Sequence, residues 1–125
     1  MTTARKRLVF FTISDPGEHP ELVLEAYHLA GTAAKAGLVA EVRLAGDAVK
    51  TAIPSAIAAT PRGDDLRAKA LTGTELGVIV SLCPGSAESR GVSDEAMAAI
   101  GGIRRPLADI LTETAEGRSE FIYIG

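Results

Sequence analysis

Residues 76–86 read LGVIVSLCPGS, and this stretch decides the predicted fold. Residues 76–82 are mostly apolar, and a short run of this kind is typical of a strand buried on both faces of a parallel sheet. Pro84, Gly85 and Ser86 then break the strand. We therefore expect Cys83, the only cysteine in the chain, to lie at the carboxyl end of a central strand.

Helical and strand patterns alternate on both sides of this stretch. The clearest helical periodicity covers residues 20–36, where polar and apolar side chains follow two opposite stripes. Further strands are predicted at residues 7–13, 38–45, 101–105 and 119–124, and shorter helices at 48–53, 64–71, 84–91, from 93 onward and at 106–115. Residues 54–63 are predicted as an irregular loop. Five strands that alternate with helices indicate an α/β fold with a parallel sheet covered on both faces.

The composition fits one ordinary domain over residues 1–125. Apolar residues make up 46% of the chain and charged residues 23%, which argues against a disordered protein. The net charge is −3 and most basic residues are scattered, so no nucleic-acid partner is expected. The one dense basic cluster, Arg5, Lys6 and Arg7, is interpreted as a frayed and solvated segment.

The apolar segments and the cysteine content predict a cytoplasmic protein. Residues 8–13 are far shorter than the roughly 20 residues that cross a bilayer, and no cleavage site follows them. One cysteine forms no internal disulfide, and a free thiol suits a reducing compartment. The chain has no phosphate-binding glycine motif and no metal-ligand spacing, so no cofactor and no metal are predicted.

The candidate site lies where the strands end, because parallel strands place their carboxyl ends along one edge of the sheet. Asp47 also reaches this edge, but a helix cap is its favoured role. Turn formation is favoured for Asp15, and a solvated loop position for His19. The candidate binding residues are Ser14, Asp15, His19, Pro84, Gly85, Ser86 and Arg90.

Cys83 is the candidate catalytic residue because a thiolate is a strong nucleophile. A helix that starts at Pro84 would direct free backbone N–H groups at the sulfur and favour the thiolate. Arg90 lies two helical turns further on and either adds positive charge or holds the turn. A cysteine at a strand end can equally be a small buried hydrophobe without chemistry.

At residues 76–92, LGVIVSLCPGSAESRGV, the sequence resembles the DsrE/DsrF-like family of small sulfur-relay subunits. The similar pattern is a buried strand that ends in Cys83, followed by a small-residue turn and by Arg90, Gly91 and Val92. Residues 14–21 and 44–49 are similar to the first loop and the second strand of the family. The resemblance implies a three-layer α/β/α sandwich with a five-stranded parallel sheet. Members of the family are commonly homo- or hetero-oligomers, often trimers or hexamers, and we expect a homo-oligomer here. It also implies that Cys83 carries a persulfide.

The resemblance and the residues together define three hypotheses. The first is a sulfur carrier or sulfurtransferase-like subunit that uses Cys83 and exchanges sulfur with a donor or acceptor protein. The second is a non-catalytic ligand-binding or assembly subunit of the same fold. The third is a cysteine hydrolase, which needs a histidine near Cys83, and His19 is the candidate.

Overall fold

The computed structural model describes residues 6–58, 60 and 62–125 and confirms the predicted α/β fold. Its five strands form one parallel sheet in the order β4-β3-β2-β1-β5. The strands are β1 (Arg7–Thr12), β2 (Val39–Leu44), β3 (Ile79–Leu82), β4 (Gly102–Arg104) and β5 (Ser119–Tyr123). The helices are α1 (Pro20–Lys35), α2 (Pro54–Ala58), α3 (Gly63–Glu75), α4 (Pro84–Ser89), α5 (Asp94–Ala99) and α6 (Leu107–Ala115), with a 3-10 helix at Gly46–Ala52.

The strand order places helices on both sides of the sheet. From β1 to β4 the chain moves steadily toward one edge, and right-handed crossovers put the intervening helices on one face. Only the connection from β4 to β5 runs back across the sheet, so α6 covers the opposite face. The two faces are named here the apolar face, under α1 and α3, and the charged face, under α6.

The apolar face holds the main core. Val42, Leu44 and Leu82 are fully buried there, and α1 packs Val23 and Tyr27 into the same cluster. These positions alternate along the strands with residues of the other face, as the pleat of a strand requires. The core is therefore built from aliphatic side chains and two aromatic residues, one on β1 and one on α1.

The charged face has a different interior. Glu41 and Arg43 of β2 are both buried, and the strand register sets Arg43 beside Ser81 of β3. Glu41 accepts hydrogen bonds from Arg7 at 2.8 Å, from Ser81 at 2.6 Å and from Arg105 at 3.0 Å. Buried charges need such partners, because an unpaired ion in the interior costs several kcal/mol.

Part of the charged face is left open. Next to α6, Phe11 stacks at 4.9 Å from Phe121 and at 5.5 Å from Tyr123, between ring centroids. Several large apolar side chains on α6 or on the strand residues of this face are about half exposed: Ile103, Leu107, Leu111 and Tyr123. The charged face thus combines a buried ionic cluster with an exposed apolar rim.

Three local predictions are wrong. Residues 54–63 were predicted as a loop but contain α2, which begins at Pro54, a residue well suited to a first helical turn. Helix α3 continues past Gly73 to Glu75, and Gly77, with φ 87°, provides the left-handed residue behind it. The strand predicted at residues 76–82 consequently begins only at Ile79.

The prediction of a frayed, solvated basic cluster is wrong for Arg7, whereas Lys6 is exposed as predicted. Arg7 opens β1 and pairs with buried Glu41, while Lys6 pairs with exposed Glu120 at 3.4 Å. Arg5 lies outside the described residues. Arg7 is therefore part of the charged face.

Candidate functional site

Cys83 lies at the point where β3 passes into α4. Its backbone N–H donates to the carbonyl of Leu44 at 3.0 Å and so extends the sheet by one residue. Its extended backbone, with φ −63° and ψ 119°, places it at the N-cap of α4, and Pro84 occupies the first helical turn. The residue as a whole is half-buried and does not belong to the buried core cluster.

Hydrogen bonding by Ser86 is the largest influence that lowers the pKa of the Cys83 thiol. Both its hydroxyl and its backbone N–H interact with Cys83, and the backbone N–H of Gly85 does the same. The Ser86 hydroxyl also accepts a hydrogen bond from the Gly46 N–H at 3.0 Å. Because this contact occupies its oxygen as an acceptor, its proton is free to be donated to the sulfur.

The backbone conformation of Gly46 allows its N–H to donate to the Ser86 hydroxyl. Its φ is +54°, in the left-handed region that glycine adopts without strain. A residue with a Cβ atom would be strained in that conformation, and its N–H would no longer be held toward Ser86 at low cost. The turn after β2 therefore helps to orient the donor beside Cys83.

Arg43 supplies positive charge from inside the sheet. It pairs in register with Ser81, and Cys83 is the next residue of that chain segment on the same face. The guanidinium is almost completely buried and interacts electrostatically with the sulfur of Cys83. The site therefore combines hydrogen-bond donors from the turn with a cation from the charged face.

These groups change the acidity of the thiol. Burial alone would raise the pKa of Cys83, but the hydrogen bonds from Ser86, the charge of Arg43 and the Gly85 N–H together lower it below the ordinary value. A lower pKa increases the thiolate fraction at neutral pH, and the thiolate is the nucleophilic form. The geometry therefore favours a reactive over an inert sulfur.

Arg90 holds the turn, which is one of the two roles considered for it. Its Nε donates to Asp47 at 3.0 Å and its Nη1 to the Ser86 carbonyl at 3.3 Å. Asp47 is not a helix cap, as the sequence suggested, because the 3-10 helix begins one residue earlier and has Ala45 at its N-cap. These contacts connect the 3-10 helix to α4 and fix the backbone at Ser86.

The residues that follow β1 occupy another part of the same edge. Asp15 accepts from the Gly17 N–H at 2.8 Å, as expected for a turn, and from Lys50 at 3.1 Å. The Ser14 hydroxyl donates to the Gly125 carbonyl at 3.1 Å. Neither residue has a described contact with Cys83, so the structure does not join these candidates to the thiol.

His19 is also separate from the thiol. Its side chain is more than half exposed, and its Nδ1 lies 3.4 Å from a carboxylate oxygen of Glu21. The partner of the imidazole is therefore a surface carboxylate. A Cys83–His19 catalytic pair finds no support in this arrangement.

A groove lined by other described residues lies away from Cys83. This groove of about 600 Å³ runs between α1 and α3, and its lining is mostly charged side chains, including Glu25, Arg62 and Lys69. It shares no residue with the turn around Cys83. No cluster of three or more metal-ligating side chains occurs among residues 6–58, 60 and 62–125.

Sequence reasoning missed Arg43 and Glu41 as parts of the site. The available signal was the segment VAEVRL, in which two charged residues stand two positions apart inside an apolar strand. That spacing places both on one face, and charged residues are seldom buried there without a role. The partners Ser81 on β3 and Arg105 just after β4 could not be predicted, because these pairings depend on the strand register.

Comparison with solved structures identifies proteins of the same fold. A conserved protein of unknown function from Bacteroides thetaiotaomicron, BT1422, superposes with a TM-score of 0.69 at 18% identity, over 95% of each chain. The ychN protein from E. coli gives 0.67 at 17% identity, over 95% of this chain and 98% of the other. MTH1491 from Methanobacterium thermoautotrophicum, also of unknown function, gives 0.66 at 16% identity, over 94% and 98%.

These similarities define the class of the protein as a small α/β domain with this parallel-sheet fold. No family model and no curated protein matches the sequence. Within the described part of the chain, no helix is long and apolar enough to span a membrane. Function has to be argued from the site itself.

Proposed function

We propose that this protein is a sulfur carrier that holds a persulfide on Cys83. The observation that carries the proposal is the position of Cys83, half-buried at the N-cap of α4, with the Ser86 hydroxyl held in the adjoining turn and the buried Arg43 on the neighbouring strand. A persulfide is more anionic than a thiol at neutral pH and benefits from the same donors. The free thiol also fits the reducing cytoplasm.

The transfer step needs no oxidant or reductant. The Cys83 thiolate attacks the outer sulfur of a donor persulfide and forms a new S–S bond to it. The S–S bond of the donor breaks, and the donor leaves as a thiolate that takes up a proton from water. Because the chain has one cysteine, the onward transfer requires a thiolate of an acceptor protein.

The resemblance to the DsrE/DsrF-like family supports this assignment. It lies in residues 76–92, where Cys83 occupies the position of the cysteine that carries the persulfide in sulfur-relay members. The fold shared with the ychN protein is compatible with that resemblance. We further propose that the chain works as a homo-oligomer, a trimer or hexamer, since Leu107, Leu111 and Tyr123 leave an apolar rim uncovered.

The second candidate is an assembly or ligand-binding subunit in which Cys83 has no chemical role. The observation that favours it is the same exposed apolar rim, which offers a surface for association whatever the thiol does. In that case a Cys83→Ser protein retains its association and its biological effect. Retention of association alone fits both candidates, so the thiol chemistry has to be measured directly.

The deciding experiment is mass spectrometry of the intact protein after incubation with inorganic polysulfide at neutral pH. We expect one added sulfur atom on the native chain, its release by dithiothreitol, and no addition to Cys83→Ser. A Ser86→Ala variant, which keeps the thiol but loses the hydroxyl donor, should load more slowly. A native chain that gains no sulfur refutes the carrier function.

A further inference from the structure

The charge of Arg43 is incompletely balanced by its neighbours. Only 1% of the residue is exposed, and its Nη1 donates to the backbone carbonyl of Arg105 and, at 3.4 Å, to the Ser81 hydroxyl. Its Nε is buried and has no hydrogen-bond partner among the described residues. A buried cation with an unsatisfied donor is costly, so a nearby anion would stabilise it.

The carboxylates of the charged face are committed to other cations. Glu41 pairs directly with Arg7 and Arg105, and Glu113 of α6 pairs with Arg105 at 2.6 Å. The hydrogen-bonded connection from Arg43 to Glu41 runs through Ser81, whose hydroxyl donates to the carboxylate at 2.6 Å. Among the described residues, Arg43 makes no ion pair with a carboxylate.

The group that remains for Arg43 is the sulfur of Cys83. Ser81 and Cys83 stand two residues apart on one face, and Arg43 is the in-register neighbour of Ser81. Two residues span about 6.6 Å along a strand and neighbouring strands lie about 4.8 Å apart, so an arginine side chain is long enough to approach the diagonal neighbour. The guanidinium stays protonated when buried, so it presents a permanent charge to that sulfur.

We propose that Arg43 is the positioning residue of this site: fixed by Ser81 and by the Arg105 carbonyl, its buried guanidinium stabilises an anionic sulfur at Cys83. The proposal deepens the sulfur-carrier function and rests on it for its biological meaning. The physical claim concerns the thiolate as well as the persulfide. It assigns to the charged face a direct part in the chemistry at the edge of the sheet.

The test is the pH dependence of Cys83 alkylation by iodoacetamide in the folded protein. Arg43→Met removes the charge and should raise the pH midpoint by about 1–3 units, the range typical of a close opposite charge. Arg43→Lys retains the charge and should restore a large part of the shift. Arg104→Gln removes an exposed cation from the opposite face and should leave the midpoint unchanged.

Equal midpoints for Arg43→Met and the native protein overturn the proposal, as does a failure of Arg43→Lys to restore any of the shift. If circular dichroism shows that Arg43→Met does not fold, the pH midpoint of Cys83 alkylation is measured in Ser81→Ala instead. That variant frees Arg43 to turn toward Glu41, so its midpoint should rise, and an unchanged midpoint contradicts the proposal.

The two proposals fail in different ways. If the sulfur-carrier function is wrong, the native chain takes up no sulfur from polysulfide, yet the alkylation midpoints still differ among the Arg43 variants. If the role of Arg43 is wrong, the midpoints coincide while sulfur loading remains intact. The same purified proteins serve both measurements.

Discussion

The two faces of the sheet differ although the same strands build them. On β2, Val42 and Leu44 enter the aliphatic core of the apolar face, while Glu41 and Arg43, which alternate with them, enter the ionic cluster of the charged face. Burial of aliphatic groups stabilises a fold directly, whereas buried ion pairs contribute little net stability. We propose that the apolar face supplies most of the net stability of the fold and that the charged face contributes Arg43 to the edge where Cys83 lies.

The largest expected effect is the loss of the central carboxylate of the charged face. Glu41→Gln leaves Arg7 and Arg105 without the carboxylate that they share, and a broken buried pair costs about 3–5 kcal/mol. Urea unfolding followed by circular dichroism measures this change. A loss below about 1 kcal/mol would mean that the buried charges are balanced without Glu41.

A comparable truncation on the apolar face sharpens the contrast. Leu44→Ala creates a cavity in the aliphatic core and should lower the free energy of unfolding by about 2–5 kcal/mol. Because no charge is involved, the pH midpoint of Cys83 alkylation should stay as in the native protein, provided that the variant is folded. A shifted midpoint would show that the two faces are not separable.

A smaller effect is expected from pH on the charged face. Burial would raise the pKa of Glu113, but hydrogen bonds from Ser119 and Arg105 and the charge of Arg7 hold it below its ordinary value of 4.5. An acid with a lowered pKa stabilises the folded state above the ordinary value and loses that contribution as pH falls through the lowered one. Glu113→Gln should therefore flatten the decline of stability in acid.

This prediction is measured as the urea midpoint of the native chain and of Glu113→Gln between neutral and acidic pH. At neutral pH the variant should be the less stable of the two, and the difference should shrink as the pH is lowered below 4.5. A difference that stays constant over the range contradicts the contribution assigned to Glu113.

The smallest effect is expected for an exposed ion pair. Arg104 donates to Asp94 at 2.9 Å, with the carboxylate side chain 82% exposed. Such pairs contribute about 0–1 kcal/mol, so Arg104→Gln should change the free energy of unfolding by less than about 1 kcal/mol. A larger loss in the same urea assay would contradict the small contribution to the free energy of unfolding that is assigned to this exposed pair.

The order of elements was predictable from the sequence because each strand is a compact apolar run between turn residues. Cys83 at the end of β3 followed from the run that precedes it and from Pro84 behind it. Arg7 was misjudged because its partner, Glu41, lies in another strand and sequence patterns do not show such pairs. The boundary of β3 was misjudged because Gly73 lies inside α3, where tertiary packing overrides local preference.

The site was only partly predictable for a similar reason. Ser86 and Gly85 are local to Cys83, so their approach follows from the short helix after the strand. Arg43 comes from a neighbouring strand, and its approach depends on a register that sets it beside Ser81. A shift of the strand register by one residue would move Arg43 to the opposite face of the sheet. The sequence around Cys83 does not indicate which register is adopted.

The most direct test of this account is the pKa of Cys83 in the native protein, read from the pH dependence of its alkylation rate. We predict a midpoint below that of free cysteine, about 8.5, and a return toward that value in the urea-unfolded chain. A midpoint in the folded protein at or above that of the unfolded chain would contradict the claim that Ser86 and Arg43 make this sulfur acidic.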